Sequence, residues 1–362
     1  MPTRLLLAGY FGCGNLGDDA IMLGYSQGFD SKQFDITALS GAPEETFRNY
    51  GIPSVGRKDF PKIKEAISKC DALVLPGGSI FQDVTSTRSA YYYLNLVRQA
   101  KNSGKKVFLL GQGVGPVRKF FGRRWTAQAY NMADLITVRD PASMTLLKEL
   151  GVTKPIRVTA DSALLLGAPV GTEDSQGFAV GQMKTVGISV RPHGKGDTVV
   201  KLFADLARLL FQNGYMPVMI EMDRNEDGPM ILEVARLNGG KVPDIRKLQT
   251  PQQLQQRLSR MDGVIAMRLH AGILAASVGV TPFMVSYDPK VTAFGRLLDV
   301  PAPGFEGMTA QRLYEQFVAF QKQRVGRDEF TMKKVDELRA AAAMNVTYTL
   351  EACGVRTPAG VA

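Results

Sequence analysis

Arg268 and His270 stand two residues apart in Met267-Arg-Leu-His270, where a short apolar run at 264–267 hands over to a second apolar run at 271–278. An arginine presents a rigid fork of donors that fits a carboxylate or a phosphate. A histidine titrates near neutral pH, and a bound anion raises its pKa. Together the two residues suit anion binding coupled to proton donation. A histidine that merely packs at a helix start is the structural alternative, and the arginine on the same turn favours the anion site. Three more cations follow apolar runs: Arg139 in Thr137-Val-Arg-Asp140, Arg191 in Ser189-Val-Arg-Pro-His193, and Lys290 in Tyr287-Asp-Pro-Lys290. Arg139 has a competing role in a salt bridge to Asp140 or to a helix end, and Lys290 one as a solvated lysine at a helix start. The only other histidine, His193, sits in a Pro/Gly/Lys turn and reads as an exposed loop residue.

A second chemical cluster lies near the N-terminus. Gly12-Cys-Gly-Asn-Leu-Gly17 fits G-x-G-x-x-G and is followed at once by Asp18 and Asp19. The pattern alone suggests dinucleotide binding. Two carboxylates at that point would repel a pyrophosphate, and the next apolar run ends Ala38-Leu-Ser40 without an acid for a ribose diol. NAD is therefore disfavoured. Asn15, Asp18 and Asp19 are left as polar groups that a bare tight turn does not need. Pro76-Gly-Gly-Ser79, with Gly78, and Gly111-Gln-Gly-Val-Gly115, with Gln112, are two more glycine turns after apolar runs. Three such turns in one half favour a shared lining for a ligand. Cys13 reads as a small buried residue rather than a nucleophile.

The elements that must position these groups alternate between short apolar strands and amphipathic helices. In the first half, strands are expected at 5–8, 34–39, 72–75, 107–110, 135–138 and 156–159. Helices are expected from Asp18 to Gln27 and at 62–68, 88–101, 120–132 and 141–150. In the second half, strands are expected at 186–190, 217–221, 264–267 and 282–285, with helices at 199–212, 229–237, 251–259, 271–278 and 309–323. A last helix is expected from Met332 to about Leu350. Such alternation implies parallel sheets covered on both faces, so the class is α/β with two doubly wound halves. The aperiodic stretch from Gly167 to Gly181 marks the boundary. The expected organisation is an N-terminal domain over 1–166, a linker over 167–184, a second domain over 185–330, and a C-terminal helix and tail over 331–362 near the first domain.

With 362 residues, 45% hydrophobic and 22% charged, the chain has an ordinary globular composition. No apolar run reaches the length of a membrane span. Three widely spaced cysteines speak for a reducing cytoplasm and against a disulfide framework or a zinc site. The net charge of +10, from 44 basic and 34 acidic residues, is localised. Between Val84 and Ala133 there is no Asp or Glu, while nine basic residues include Arg88, Arg118, Lys119, Arg123 and Arg124. Such a segment attracts phosphate groups of any kind. Within it, 117–125 mixes four cations with Phe120, Phe121 and Trp125. It reads either as a core helix with a basic outer face or as a patch for an anionic membrane surface.

Gly9 to Asp19, Leu75-Pro-Gly-Gly-Ser79, Gly111-Gln-Gly-Val-Gly-Pro116, Thr137-Val-Arg-Asp140, Met267-Arg-Leu-His270 and Ser286-Tyr-Asp-Pro-Lys290 resemble, in that order, the polysaccharide pyruvyl transferase family, in particular its CsaB type. The resemblance spans about residues 3–300. It implies two Rossmann-like domains with a central cleft, a GT-B-like architecture. It also implies phosphoenolpyruvate as donor substrate and a 4,6-linked pyruvate ketal as product. The acceptor would be N-acetylmannosamine of a lipid-linked saccharide precursor of a secondary cell-wall polymer, in a pathway that serves S-layer anchoring. Arg268, Leu269 and His270 match the family's Arg-x-His motif. With Arg139 and Lys290 they would hold the donor, and His270 would be the general acid. Asp18 would take the hydroxyl proton, and Asn15, Asp19, Gly78 and Gln112 would line the acceptor. The chemistry needs no cofactor, no metal and no nucleic acid. The enzyme would be cytoplasmic, peripheral on the inner face of the plasma membrane. Three other readings remain open: a GT-B glycosyltransferase using a nucleotide sugar, a non-catalytic sugar- or membrane-binding protein, and an NAD-dependent oxidoreductase.

Overall fold

Strand β1 (Thr3–Phe11) carries Leu5, Leu6, Leu7 and Ala8 in sequence, all buried. A strand apolar on both faces belongs in the middle of a parallel sheet covered by helices. The computed structural model describes residues 2–83, 87–167, 183–194, 196–323 and 328–355. After β1 come α1 (Leu16–Ser26), β2 (Phe34–Ser40), α2 (Pro43–Tyr50), β3 (Ser54–Gly56), α3 (Phe60–Lys69), β4 (Ala72–Leu75), α4 (Thr87–Asn102), β5 (Lys106–Gln112), α5 (Phe120–Met132), β6 (Leu135–Val138), α6 (Pro141–Glu149) and β7 (Arg157–Val158). The strands form one parallel sheet in the order β3-β2-β1-β4-β5-β6-β7. Ile63, Ile67, Tyr93, Val97 and Tyr130 fill one core against β4 and β5.

A second parallel sheet follows, in the order β10-β9-β8-β11-β12. Its elements are β8 (Lys184–Ser189), α7 (Gly196–Gln212), β9 (Tyr215–Ile220), α8 (Asp227–Leu237), β10 (Asp244–Ile245), α9 (Pro251–Leu258), β11 (Gly263–Ala266), α10 (Leu269–Ser277), β12 (Pro282–Met284), α11 (Pro289–Leu298) and α12 (Ala310–Gln323), and the chain closes with α13 (Asp328–Cys353). Helix starts in both halves reuse one device. Asp59, Asp140, Thr250 and Asp288 each cap a backbone N–H with the side chain, and a proline follows in the first turn. Such a cap is worth about 1 kcal/mol, and proline costs nothing where its missing N–H would be unpaired anyway.

The chain divides into two compact units. The first comprises Met1–Cys13, Asp18–Leu166 and Leu338–Ala362, and the second Gly14–Gly17 and Gly167–Glu337. The expected linker over 167–184 falls almost wholly outside the described residues. Two features of the division depart from a cut at residue 166. Residues 14–17 join the second unit because their backbone is tied there: Leu16 donates to the Met222 carbonyl at 2.9 Å and Arg224 to the Gly14 carbonyl at 2.8 Å. And α13 belongs to the first unit from Leu338 onward. Its Asn345, fully buried, accepts from Thr137 at 2.6 Å and Thr159 at 2.8 Å and donates to the Ala160 carbonyl at 3.1 Å.

Helix α2 and strands β3 and β10 are not foreshadowed in the sequence. Only Thr46 of α2 is buried, so no apolar period marks it; its ends are set by Pro43 and by Gly51 in the left-handed conformation. The helix expected at 271–278 begins at Leu269, which places His270 in its first turn.

Candidate active site

In open α/β sheets ligands bind outside the carboxyl ends of the strands, where the strand order reverses. In the second sheet that point lies between β8 and β11. The chain leaves β8 through Val190 to Arg191 and leaves β11 through Met267 to Arg268. Arg268 is the N-cap residue of α10, and its side chain makes no cap bond. Instead the guanidinium turns to carboxylates. Nη2 donates to Glu226 at 2.8 Å and also to Asp227, and Nε donates to Asp227 at 3.1 Å. None of these bonds uses Nη1. Burial pushes the Asp227 carboxyl up, and the Arg268 charge pulls it back. Asp223 is displaced the same way for the same reasons. Burial works against the charge of Arg268, but Asp227, Glu226 and Asp223 outweigh it and keep the guanidinium ionised.

Arg191 reaches the same carboxylate. Its Nη2 lies 3.9 Å from Glu226 Oε2, its Nη1 donates to the Tyr287 hydroxyl at 2.7 Å, and its Nε is buried without a partner. Lys290 flanks Tyr287 as well, with Nζ 5.9 Å from the ring centre and 3.8 Å from Asp288. Its side chain is largely buried, so it is not the solvated lysine of the simpler expectation. His193 packs against Tyr287 and Phe305 with ring centres 5.4 and 5.7 Å apart. Leu269 is buried as the first residue of α10.

His270 is held from below by the glycine turn. A Cβ on Gly17 would fall 2.5 Å from His270 Cγ and 2.6 Å from its Cβ, so only glycine leaves room for the imidazole. Asn15 secures that turn. Its side-chain oxygen accepts from the Gly17 N–H at 2.9 Å, and its amide reaches Asp223 at 3.4 Å. Arg268, His270, Lys290, Leu269 and Asn15 thus belong to one unit, together with Glu226, Asp227, Asp223 and Tyr287, to which sequence reasoning gave no role. The acidic run Asp223-Arg-Asn-Glu-Asp227 soon after β9 is the trace that the three carboxylates leave in the sequence, and on its own it reads equally well as a solvated helix start.

The first sheet reverses between β1 and β4. The turn after β4 brings Gly78, at φ 92°, beside Asp18: a Cβ there would stand 3.4 Å from Asp18 Oδ1. Asp18 is half-buried. Asp19 is buried and structurally engaged, accepting from the Gly12 N–H at 2.8 Å and from the Tyr50 hydroxyl at 3.2 Å. Gln112 is fully buried, and its amide donates to the carbonyls of Leu75, Gly77 and Leu110 at 2.8 to 3.2 Å. It shapes the turn and presents no surface to a ligand. Arg139, 6% exposed, donates to Asp161 at 2.7 Å and to the Ser79 hydroxyl at 2.9 Å, and its guanidinium lies flat on Gly113. All its named contacts are in the first unit, and the partner expected for it, Asp140, is 4.0 Å away.

Cys13 accepts from Arg57 Nη1 at 3.1 Å, and burial pushes its thiol up, against the pull of the arginine. A thiol so held is a poor nucleophile at neutral pH. Among the described residues no cluster of His, Cys, Asp and Glu could hold a metal ion, and no helix is long and apolar enough to cross a membrane.

Two parallel-sheet α/β units, each with polar groups at the carboxyl ends of its strands, are the build of GT-B enzymes, and solved structures of that class are similar along the whole chain. Staphylococcus aureus MnaA in complex with UDP is 13% identical, with 98% of each chain covered and a TM-score of 0.67. The UDP-GlcNAc 2-epimerase of Neisseria meningitidis bound to UDP-GlcNAc is 14% identical, covering 97% of this chain and 100% of that one, with a TM-score of 0.59. Anabaena HepE with UDP-glucose is 12% identical, covering 97% and 98%, with a TM-score of 0.61. At such identities the likeness is one of fold. No curated protein matches the sequence. The sequence profile of the polysaccharide pyruvyl transferase family matches residues 15–289, and the chain belongs to that family. It is accordingly a transferase.

Proposed function

We propose that the protein transfers the pyruvyl group of phosphoenolpyruvate to a sugar as a 4,6-ketal, with release of phosphate. The acceptor in this reading is N-acetylmannosamine of a lipid-linked cell-wall polymer precursor, as in the CsaB type, met at the cytoplasmic face of the membrane. One observation carries the donor assignment. Arg268 and Arg191 share Glu226, Arg191 and Lys290 flank Tyr287, and His270 stands two residues from Arg268 in the first turn of α10. Three cations suit a ligand that carries both a carboxylate and a phosphate.

The chemistry then runs as follows. His270 gives a proton to the methylene carbon of the donor, and the C2 carbon becomes an oxocarbenium-like centre. A sugar hydroxyl adds to C2 and its proton passes to Asp18, the half-exposed member of the aspartate pair. Phosphate leaves with the electrons of the C2–O bond and takes up the proton held by Asp18; the second hydroxyl adds to the same carbon to close the ketal, and its proton restores His270. Arg268, Arg191 and Lys290 stabilise the departing phosphate electrostatically. Arg139 supports Ser79 and the glycine turn, Asn15 holds the turn whose Gly17 packs on His270, and Asp19 fastens the backbone at Gly12.

Calorimetric titration with phosphoenolpyruvate, paired with a phosphate-release assay, tests this reading. Wild-type protein and His270→Asn are both expected to bind phosphoenolpyruvate, and only the wild type to release phosphate when a sugar acceptor is added. Binding of a nucleotide sugar in its place would return the glycosyltransferase reading.

A further inference from the structure

The start of α5 and the adjoining turn of α4 carry a face that the transfer chemistry does not use. Phe120 and Phe121 are 69% and 58% exposed. Their rings meet edge to face at 5.5 Å, Phe121 lies 5.5 Å from Trp125, and Trp125 lies 5.2 Å from Tyr91 of α4. Four aromatic rings therefore make one strip instead of isolated exposures. Arg118, Lys119, Arg123 and Arg124 around it are all exposed. The neighbouring carboxylate, Asp83, is turned inward: it is buried and accepts from the backbone N–H groups of Arg118 at 2.9 Å and Lys119 at 2.6 Å. Gly122 leaves the space for it, since a Cβ there would stand 2.5 Å from Asp83 Oδ2.

The order of exposure identifies the partner. The phenylalanines are the most exposed of the four rings, Tyr91 and Trp125 are less so, and exposed cations neighbour them in sequence. That is the layering of a bilayer surface: acyl chains for phenylalanine, the interface for tyrosine and tryptophan, lipid phosphates for arginine and lysine. We propose that this face docks the protein onto an anionic membrane, with Phe120 and Phe121 inserted. The inference rests on the proposed function only for its purpose, the meeting with a lipid-linked acceptor; the docking itself is independent of turnover.

Trp125 is the only tryptophan in the chain and reports from inside the strip. Full-length protein is titrated with vesicles of phosphatidylcholine alone and of phosphatidylcholine with phosphatidylglycerol, followed by co-sedimentation and by the emission maximum. The expected result is binding to the anionic vesicles only, weakened by salt, with a blue shift of the emission. Phe120→Ser with Phe121→Ser should weaken binding at least tenfold, and Arg123→Gln with Arg124→Gln should weaken it and flatten its salt dependence. Both variants should keep the melting temperature and the turnover of a soluble acceptor. Absence of binding to anionic vesicles, binding unaffected by the phenylalanine substitutions, or full displacement of the vesicles by single-stranded oligonucleotide would overturn the proposal. Vesicle binding without any pyruvyl transfer would leave the docking in place and refute the transferase chemistry instead.

Discussion

Two guanidinium groups share one carboxylate at the end of the second sheet. Glu226 is 44% exposed, whereas Asp227 beside it is enclosed. The division of labour follows from burial. Asp227 anchors Arg268, and removing either would strand a buried charge at a cost of about 3–5 kcal/mol. On the proposed reading, Glu226 competes with the donor for Arg268 and Arg191. The Glu226 end of the pair is solvated, which keeps its worth near that of a surface pair, about 0.2–1 kcal/mol. Glu226→Gln should therefore lower the KM for phosphoenolpyruvate about two- to fivefold with kcat unchanged, as read from steady-state phosphate release. A raised KM would mean that Glu226 positions Arg268 and does not compete with the donor. Arg268 and His270 are visible in the sequence because the change from strand to helix periodicity fixes where they stand. Glu226 and Asp227 are not, because an acidic run at a helix start reads equally well as a solvated one. Nor does the sequence separate Asp18 from Asp19; in the structure Asp18 is half-buried and Asp19 buried, accepting from Gly12 and Tyr50.

At the scale of elements, the turn at one sequence segment sets the position of the His270 side chain from another, the proposed proton donor. Helix α1 begins at Leu16, and Gly17 in its first turn is the floor on which His270 rests. Gly17 needs no unusual backbone angle, so its role is close approach alone. Gly17→Ala should push the imidazole out of line. A displacement near 1 Å can cost about a hundredfold in rate. We expect kcat to fall about 10- to 100-fold in steady-state assays, with calorimetry finding little change in donor affinity. An unchanged kcat would remove Gly17 from the positioning of His270. The glycine turns are legible as turns from composition, but which ring packs on which glycine is a tertiary fact. Helix α2 shows the converse limit: with one buried residue, its formation depends on the end signals at Pro43 and Gly51 rather than on a period.

For the molecule as a whole, alternation of strands and helices is enough to read two parallel-sheet units, since a buried parallel strand leaves an apolar run that little else produces. It does not reveal that residues 14–17 pair with the loop at 222–224, or that Asn345 ties α13 into the first unit, because single backbone bonds and one buried amide leave no periodic trace. In the basic, aromatic segment at 117–125, Phe120 and Phe121 are exposed and so lie outside the core. Full burial of a phenylalanine is worth roughly 1.5–3 kcal/mol, so leaving these two rings 69% and 58% exposed forgoes the larger part of it. The central claim is pyruvyl transfer, and product analysis reaches it most directly. The protein is incubated with phosphoenolpyruvate and a panel of soluble and lipid-linked sugar acceptors, and the products are examined by mass spectrometry and NMR. The account predicts a sugar carrying a 4,6-pyruvate ketal, one phosphate released per ketal, and neither product from His270→Asn. Unconsumed phosphoenolpyruvate across the panel, or ketal formed by His270→Asn at the wild-type rate, would contradict it.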